Sequence, residues 1–79
     1  MNEHTSQAEH VAASLGATIR ARRRELELTQ QDLADLAGVA VRSIHELERG
    51  KPTIRLAVLV ATLSALGLTL HALKAGSHE

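Results

Sequence analysis

The side chains most suited to catalysis or metal binding are five histidines, and their spacing argues against both roles. They are His4, His10, His45, His71 and His78, and no two of them have the HxxxH or HExxH spacing of a helical metal site. The chain has no cysteine to complete a ligand set, no glycine-rich phosphate loop and no nucleophile–base grouping. We therefore expect no enzyme, no metal and no other cofactor.

A second group of side chains is suited to contacts with the edges of DNA bases. Val41, Arg42, His45 and Glu46 share the outward side of a short predicted helix. Arg42 could donate two bonds to guanine, Glu46 could accept from cytosine, and Val41 could contact a thymine methyl group. His45 could donate to a base or to a phosphate. The alternative is a solvated helix face on which Arg42 and Glu46 form an ordinary i,i+4 ion pair.

Four more polar residues are candidates for phosphate contacts that fix position without identifying bases: Gln30, Ser43, Arg49 and Lys51. The overall charge gives little support to a nucleic-acid ligand, because nine Lys and Arg balance nine Asp and Glu. The complete lack of aromatic residues argues against single-strand and RNA platforms, which stack bases on aromatic rings. Double-stranded DNA is the expected ligand.

Two short helices separated by a glycine would position these side chains. Thr29 and Asp32 have the spacing of a capping box at the start of one helix, and Gly38 can end it. We predict Leu33, Leu36 and Ala37 as its buried stripe. The next helix carries Ile44 and Leu47 inward and is ended by Gly50. Helices joined by so tight a turn form a helix-turn-helix.

Flanking elements complete the core. A first helix is predicted from Ser14 to about Leu26, preceded by residues 1–13 as a polar arm. The alternative is an earlier helix start, because Ser6 and Glu9 also have capping-box spacing. A fourth helix, with Thr53 as its cap, should run to about Leu66 and stop at Gly67.

The fourth helix and the segment after it indicate a homodimer. The helix is apolar on nearly every side, so part of it, including Val58, should meet another chain. In residues 68–74 the apolar period becomes two, which predicts a strand that has no partner in the chain. Antiparallel pairing with the same segment of a second copy would satisfy the backbone hydrogen-bonding groups of this strand. The paired residues would be Leu68, Thr69, Leu70, His71 and Ala72. Alternatively, helix four simply frays into a tail. We expect residues 75–79 to be a tail in either case.

The positions of Ala34, Gly38, Ile44 and Leu47 resemble the helix-turn-helix pattern of phage repressors of the Cro and cI (XRE) type. The longer stretch from Leu15 to Leu73, notably ERGKPTIRL and ALGLTL, resembles HipB-type antitoxins. This resemblance implies an all-α, lambda-repressor-like domain of four to five helices over residues 14–67, with the strand paired across a homodimer. It also implies a palindromic operator and a HipA-like serine/threonine kinase toxin as partner. The alternative is a stand-alone repressor without a toxin.

The same resemblance implies an ion pair between Arg23 and Glu48, although Arg23 could instead belong to a basic face with Arg20 and Arg24. Two positions depart from the family pattern. Ala40 stands where Ser or Thr often caps the third helix, and Ala57 stands where many relatives carry an acidic residue.

Length and hydropathy set the remaining bounds. The 79 residues have room for one small hydrophobic core, and we expect oligomerisation to supply the additional stability that so small a core lacks. No apolar run approaches the ~18 residues of a membrane span, and the polar start does not resemble a signal peptide. We expect a cytoplasmic, nucleoid-associated protein.

Overall fold

The computed structural model describes residues 3–76, with side chains from residue 7 onward. In this part of the chain the regular structure consists of four α-helices: α1 Glu3–Glu25, α2 Gln30–Ala37, α3 Val41–Glu48 and α4 Leu56–Ala65. The predicted all-α fold with a helix-turn-helix is confirmed. No helix in this range is both long and apolar enough to cross a lipid bilayer.

One hydrophobic core joins all four helices. α1 packs against α3, and α2 packs against both α3 and α4. The buried apolar residues are Ile19, Leu33, Ala34, Ile44, Leu47, Leu59, Leu63 and Leu66. The prediction that Leu36 faces inward was wrong, because 64% of it is exposed. α2 meets its neighbours through Leu33 and Ala34, and this orientation turns Leu36 to the solvent.

α1 begins at Glu3, so the structure has the earlier of the two predicted helix starts. Ser6 lies inside the helix rather than at its N-cap. The helix continues through Leu15 and Ile19, which turn toward the core, and ends at Glu25, close to the predicted end. Residues 1 and 2 lie outside the described range.

All four helices end in a Schellman motif, in which the residue after the one in the left-handed conformation donates its N–H to a carbonyl five residues back. The four bonds are Leu28 to Arg23, Val39 to Ala34, Lys51 to Glu46 and Leu68 to Leu63. The predicted stops at Gly38, Gly50 and Gly67 are confirmed, because each adopts the left-handed backbone conformation that the motif requires. At the end of α1 the same position is occupied by Glu27, with φ of 59°.

The helix starts differ in how well they are capped. At α2 the predicted capping box is present, with Asp32 N–H donating to Thr29 Oγ1 at 3.0 Å and Thr29 N–H donating to Asp32 Oδ2 at 2.9 Å. Ala40 supplies no side-chain cap to α3, as its type predicts. The prediction that Thr53 caps α4 was wrong, because the N-cap is Arg55. Ile54 packs against the core before the helix begins, which delays its start.

The segment 68–74 is neither helix nor strand, and the described residues contain no β-strand. α4 therefore does not continue into it. Leu68 packs against the core, and the following residues are exposed. The pairing of this segment with a second copy stays a prediction. Residues 77–79 of the predicted tail lie outside the described range.

Candidate nucleic-acid interface

The recognition surface is built on the two helices α2 and α3 and the three residues that join them. Gly38 allows the chain to reverse, with φ of 71°, and Val39 N–H donates to the carbonyl of Ala34 at 3.0 Å. Ala34 is buried where α2 meets its neighbours, and its small side chain permits the close crossing. This is the geometry of a helix-turn-helix.

α3 has one buried face and one accessible face. Ile44 and Leu47 fix the helix in the core. On the accessible face, the side chain of Arg42 is 86% exposed, and His45 is also exposed. Val41 is half-buried against the core, so only part of it is accessible. The helix therefore displays a cation and an imidazole whose positions are set by the buried Ile44 and Leu47.

Glu46, predicted to contact a base, lies between two cations. Its Oε2 accepts from Arg42 Nε at 3.3 Å and from Lys51 Nζ at 3.2 Å. The hydrogen bond from Lys51 is the largest of the influences that hold the pKa of Glu46 below its usual range. The i,i+4 ion pair that was the alternative to base contact is thus formed, and Lys51 joins it.

The predicted phosphate-contacting residues differ in their surroundings. Arg49 and Lys51 are exposed just beyond α3, whereas Ser43 is half-buried in its first turn. Gln30, the first residue of α2, donates from Nε2 to Glu48 Oε1 at 3.1 Å. Part of its hydrogen-bonding capacity is therefore committed to holding α2 against the end of α3.

Arg23 and Glu48 fix α3 to α1, as the resemblance implied. Arg23 Nε donates to Glu48 Oε2 at 2.7 Å, and Nη2 donates to Oε1 at 3.1 Å. Burial by itself raises the pKa of Glu48, but hydrogen bonds from Arg23 and Gln30 outweigh it and leave that pKa below its usual range. Arg23 is buried and its neighbours Arg20 and Arg24 are exposed, so it does not belong to a basic surface face with them.

Two positioning contacts in α1 were not foreseen from the sequence. A β-carbon added at Gly16 would lie 2.4 Å from the carbonyl oxygen of Leu47, so the backbones of α1 and α3 approach closely there. Arg22 Nε donates to the carbonyl of Leu66 at 3.0 Å and so satisfies an acceptor at the end of α4. The available signal for the first contact was a glycine inside a helical pattern.

The histidines and carboxylates of the described residues do not form a metal site. No group of three or more His, Asp or Glu side chains there is arranged to hold an ion. The side chains of His4 and His78 lie outside the described residues.

Comparisons with known proteins agree with this geometry. A family model described as helix-turn-helix matches residues 19–73, which include the end of α1 and all of α2, α3 and α4. The chain is 41% identical over 67 residues to y4mF, an uncharacterized HTH-type transcriptional regulator of Sinorhizobium fredii. That alignment covers 85% of this chain and 88% of the relative. The chain therefore belongs to the XRE-type helix-turn-helix family of DNA-binding transcriptional regulators, which are not enzymes.

Proposed function

We propose that this protein is a homodimeric repressor that binds a palindromic double-stranded operator with α3 in the major groove. The observation that carries the proposal is the two-faced character of α3, whose Ile44 and Leu47 are locked in the core while Arg42 and His45 face the solvent. A helix in that position presents its first turns to base edges.

Within that complex each side chain has its own chemistry. Arg42 pairs with guanine through its terminal nitrogens, Val41 offers its exposed part to a thymine methyl group, and His45 donates to a base or phosphate. Direct acceptance from cytosine is the role that the sequence suggests for Glu46. Phosphate contacts from Gln30, Ser43, Arg49 and Lys51 set the register of the helix in the groove.

The proposed dimer interface lies along α4 and the segment after it. Leu56, Val60 and Leu70 are 65%, 45% and 46% exposed, which is a large apolar surface for so small a domain. They border a hollow of about 320 Å³ that is also lined by Leu63, Ser64, Leu68 and Thr69. A second copy would cover this surface, with residues 68–72, including His71 and Ala72, paired as an antiparallel strand. Val58 stays a proposed interface residue, although it does not line this hollow and packs partly against the core.

We further propose that the repressor is the antitoxin of a HipA-like serine/threonine kinase, acts in the cytoplasm and represses its own operon. Support for this role comes from the resemblance of residues 15–73 to HipB-type antitoxins. The other candidate is a stand-alone repressor, which agrees with the relative's description as a transcriptional regulator. Co-purification with a kinase from the native host, or a kinase gene beside this one, supports the antitoxin role. If neither is found, the stand-alone repressor is the better account.

Selection of bound duplexes from a random pool tests the DNA-binding part of the proposal. We expect a two-fold symmetric site, with affinity that falls steeply as salt rises, because a dimer contacts several phosphates in each half-site. A chain that enriches no duplex at low salt contradicts the proposal.

Sedimentation of the full chain and of a truncation after Gly67 tests the dimer. The truncated chain should be monomeric or should associate more weakly, because it lacks the pairing segment. Self-association equal to that of the full chain would remove this segment from the interface.

A further inference from the structure

One carboxylate on the recognition surface, that of Glu46, is shared by two cations from different parts of the chain. Arg42 approaches it from one turn earlier in α3, and Lys51 approaches it from beyond the helix end. The side chain of Glu46 is only 16% exposed, whereas those of Arg42 and Lys51 are 86% and 47% exposed. The anion is thus covered, and both cations remain accessible to a large ligand.

The backbone reinforces this arrangement. Lys51 N–H donates to the carbonyl of Glu46 at 3.0 Å in the Schellman motif that ends α3. Lys51 is therefore held beside Glu46 by its main chain as well as by its side chain, and the contact is more restrained than an ion pair between two freely moving surface groups.

The bond from Arg42 has a direction that suits base recognition. It is made through Nε, so the two terminal nitrogens of the guanidinium are not used by this bond. Those nitrogens can form the two parallel bonds to O6 and N7 of guanine. A carboxylate behind the guanidinium also limits the rotamers of a long side chain that would otherwise have to be ordered on binding.

We propose that Glu46 is a specificity-determining residue that orients Arg42 and competes with DNA phosphates for Arg42 and Lys51, rather than one that contacts a base. The inference rests on the proposed function and assigns to one of its residues a different role. On any duplex, Arg42 and Lys51 lose part of an existing ion pair when they contact phosphate. On the correct site, Arg42 keeps its bond to Glu46 and gains guanine. Glu46 therefore weakens non-specific binding more than specific binding.

Replacement of Glu46 by Gln tests this role, because the amide keeps the shape and removes the charge. Binding is measured for the wild-type chain and Glu46→Gln on the selected duplex, on its single-base variants and on a scrambled duplex, each at several salt concentrations. We expect tighter binding to the scrambled duplex. The loss of preference for the selected duplex should be roughly tenfold, which corresponds to about 1.4 kcal/mol. The slope of log affinity against log salt on the scrambled duplex should steepen by about one unit for each new phosphate contact.

Glu25→Gln is the matched control. It removes the same charge from a carboxylate that also accepts a hydrogen bond from an arginine, with Arg22 Nη1 at 3.1 Å, but on α1. If it raises non-specific affinity as much as Glu46→Gln does, general charge explains the effect and the inference fails. Thermal unfolding of both variants should match that of the wild type closely enough to compare folded proteins.

The other outcomes also decide the question. If Glu46→Gln weakens discrimination at a single base pair that Arg42→Ala leaves unaffected, and leaves scrambled binding unchanged, Glu46 contacts that base and the inference is wrong. If the affinities for the selected and the scrambled duplex both stay unchanged, the ion pairs of Glu46 do not affect DNA binding and the inference is wrong. A wild-type chain without preference for any duplex would overturn the proposed function itself, a result distinct from both.

Discussion

The guanidinium of Arg23 and the carboxylate of Glu48 form a two-bond ion pair, with side chains that are 10% and 3% exposed. Arg23 also donates from Nη1 to the carbonyl of Leu28 at 2.8 Å, and Gln30 donates to the same carboxylate. The carboxylate of Glu48 and the guanidinium of Arg23 thus join α1, the loop after it, the start of α2 and the end of α3. The orientation of the recognition helix depends on this network.

Replacement of Arg23 by Met should reduce the free energy of unfolding by about 3–5 kcal/mol, because the Glu48 carboxylate would remain buried without its cation. Urea unfolding at neutral pH measures the loss. Arg24→Met, at the exposed neighbouring position, is the control and should stay within about 0.5 kcal/mol of the wild type. Adding Glu48→Leu to Arg23→Met should recover part of the loss, and no recovery would mean that the stranded carboxylate is not its cause.

The stability of the protein should fall in acid, partly through Glu48. Because the pKa of Glu48 is lower in the folded chain than in the unfolded chain, the unfolded chain takes up the proton first as pH falls. The stabilisation is complete above the ordinary glutamate pKa of about 4.3 and is lost as pH falls through the lower folded value. The pH dependence of urea unfolding should therefore be shallower in Glu48→Gln. Identical slopes for the two proteins would contradict this assignment.

Gly16→Ala should destabilise the fold, although alanine is the better helix former by up to about 1 kcal/mol. The new methyl group would meet the carbonyl oxygen of Leu47, a backbone atom that can move only if α1 and α3 separate. We expect a net loss of about 1–3 kcal/mol, seen as a lower Tm. Ser14→Ala, at an exposed position of the same helix, is the control and should not lower the Tm. An unchanged or higher Tm for Gly16→Ala would show that the helices are not in such close contact.

Glu27→Gly should stabilise the fold by about 0.5–1 kcal/mol, because a left-handed conformation costs a residue with a side chain about 1–2 kcal/mol and glycine very little. Part of this gain is offset by the greater freedom of glycine in the unfolded chain. Arg24→Gly, inside α1, is the control and should be destabilising by about 1 kcal/mol. A loss of stability in Glu27→Gly would mean that its side chain contributes more than its backbone costs.

Arg42→Ala and Lys51→Ala should weaken DNA binding in different ways. Arg42→Ala should relax discrimination at one base pair by about 1–3 kcal/mol, because a bidentate base contact is lost. Lys51→Ala should weaken binding on all sequences and reduce the salt slope by about one unit. Titration of both variants against the selected and single-base-variant duplexes separates these effects. Equal losses on every duplex for Arg42→Ala would mean that Arg42 contacts only phosphate.

Features that depend on neighbouring residues could be predicted from the sequence. The Thr29–Asp32 capping box and the helix ends at Gly38, Gly50 and Gly67 all involve hydrogen bonds within a few residues. Local chemistry therefore fixes them, and the helix-turn-helix follows from their spacing. The Arg23–Glu48 pair was foreseen by resemblance to a family, which carries information about tertiary contacts that local spacing does not.

Only the tertiary structure decided the features that depend on how helices cross. The outward orientation of Leu36, the late start of α4 and the contact of Gly16 with Leu47 follow from the distances and rotations between helices. The sequence likewise offered Glu46 as either a base contact or an ion pair. The folded chain brings Lys51 to it as well, because the turn that ends α3 directs the chain back along the helix. The sequence by itself determined the start of α2 and the ends of α2, α3 and α4 through short-range hydrogen bonds, whereas long-range packing decided where α4 begins and which side chains meet.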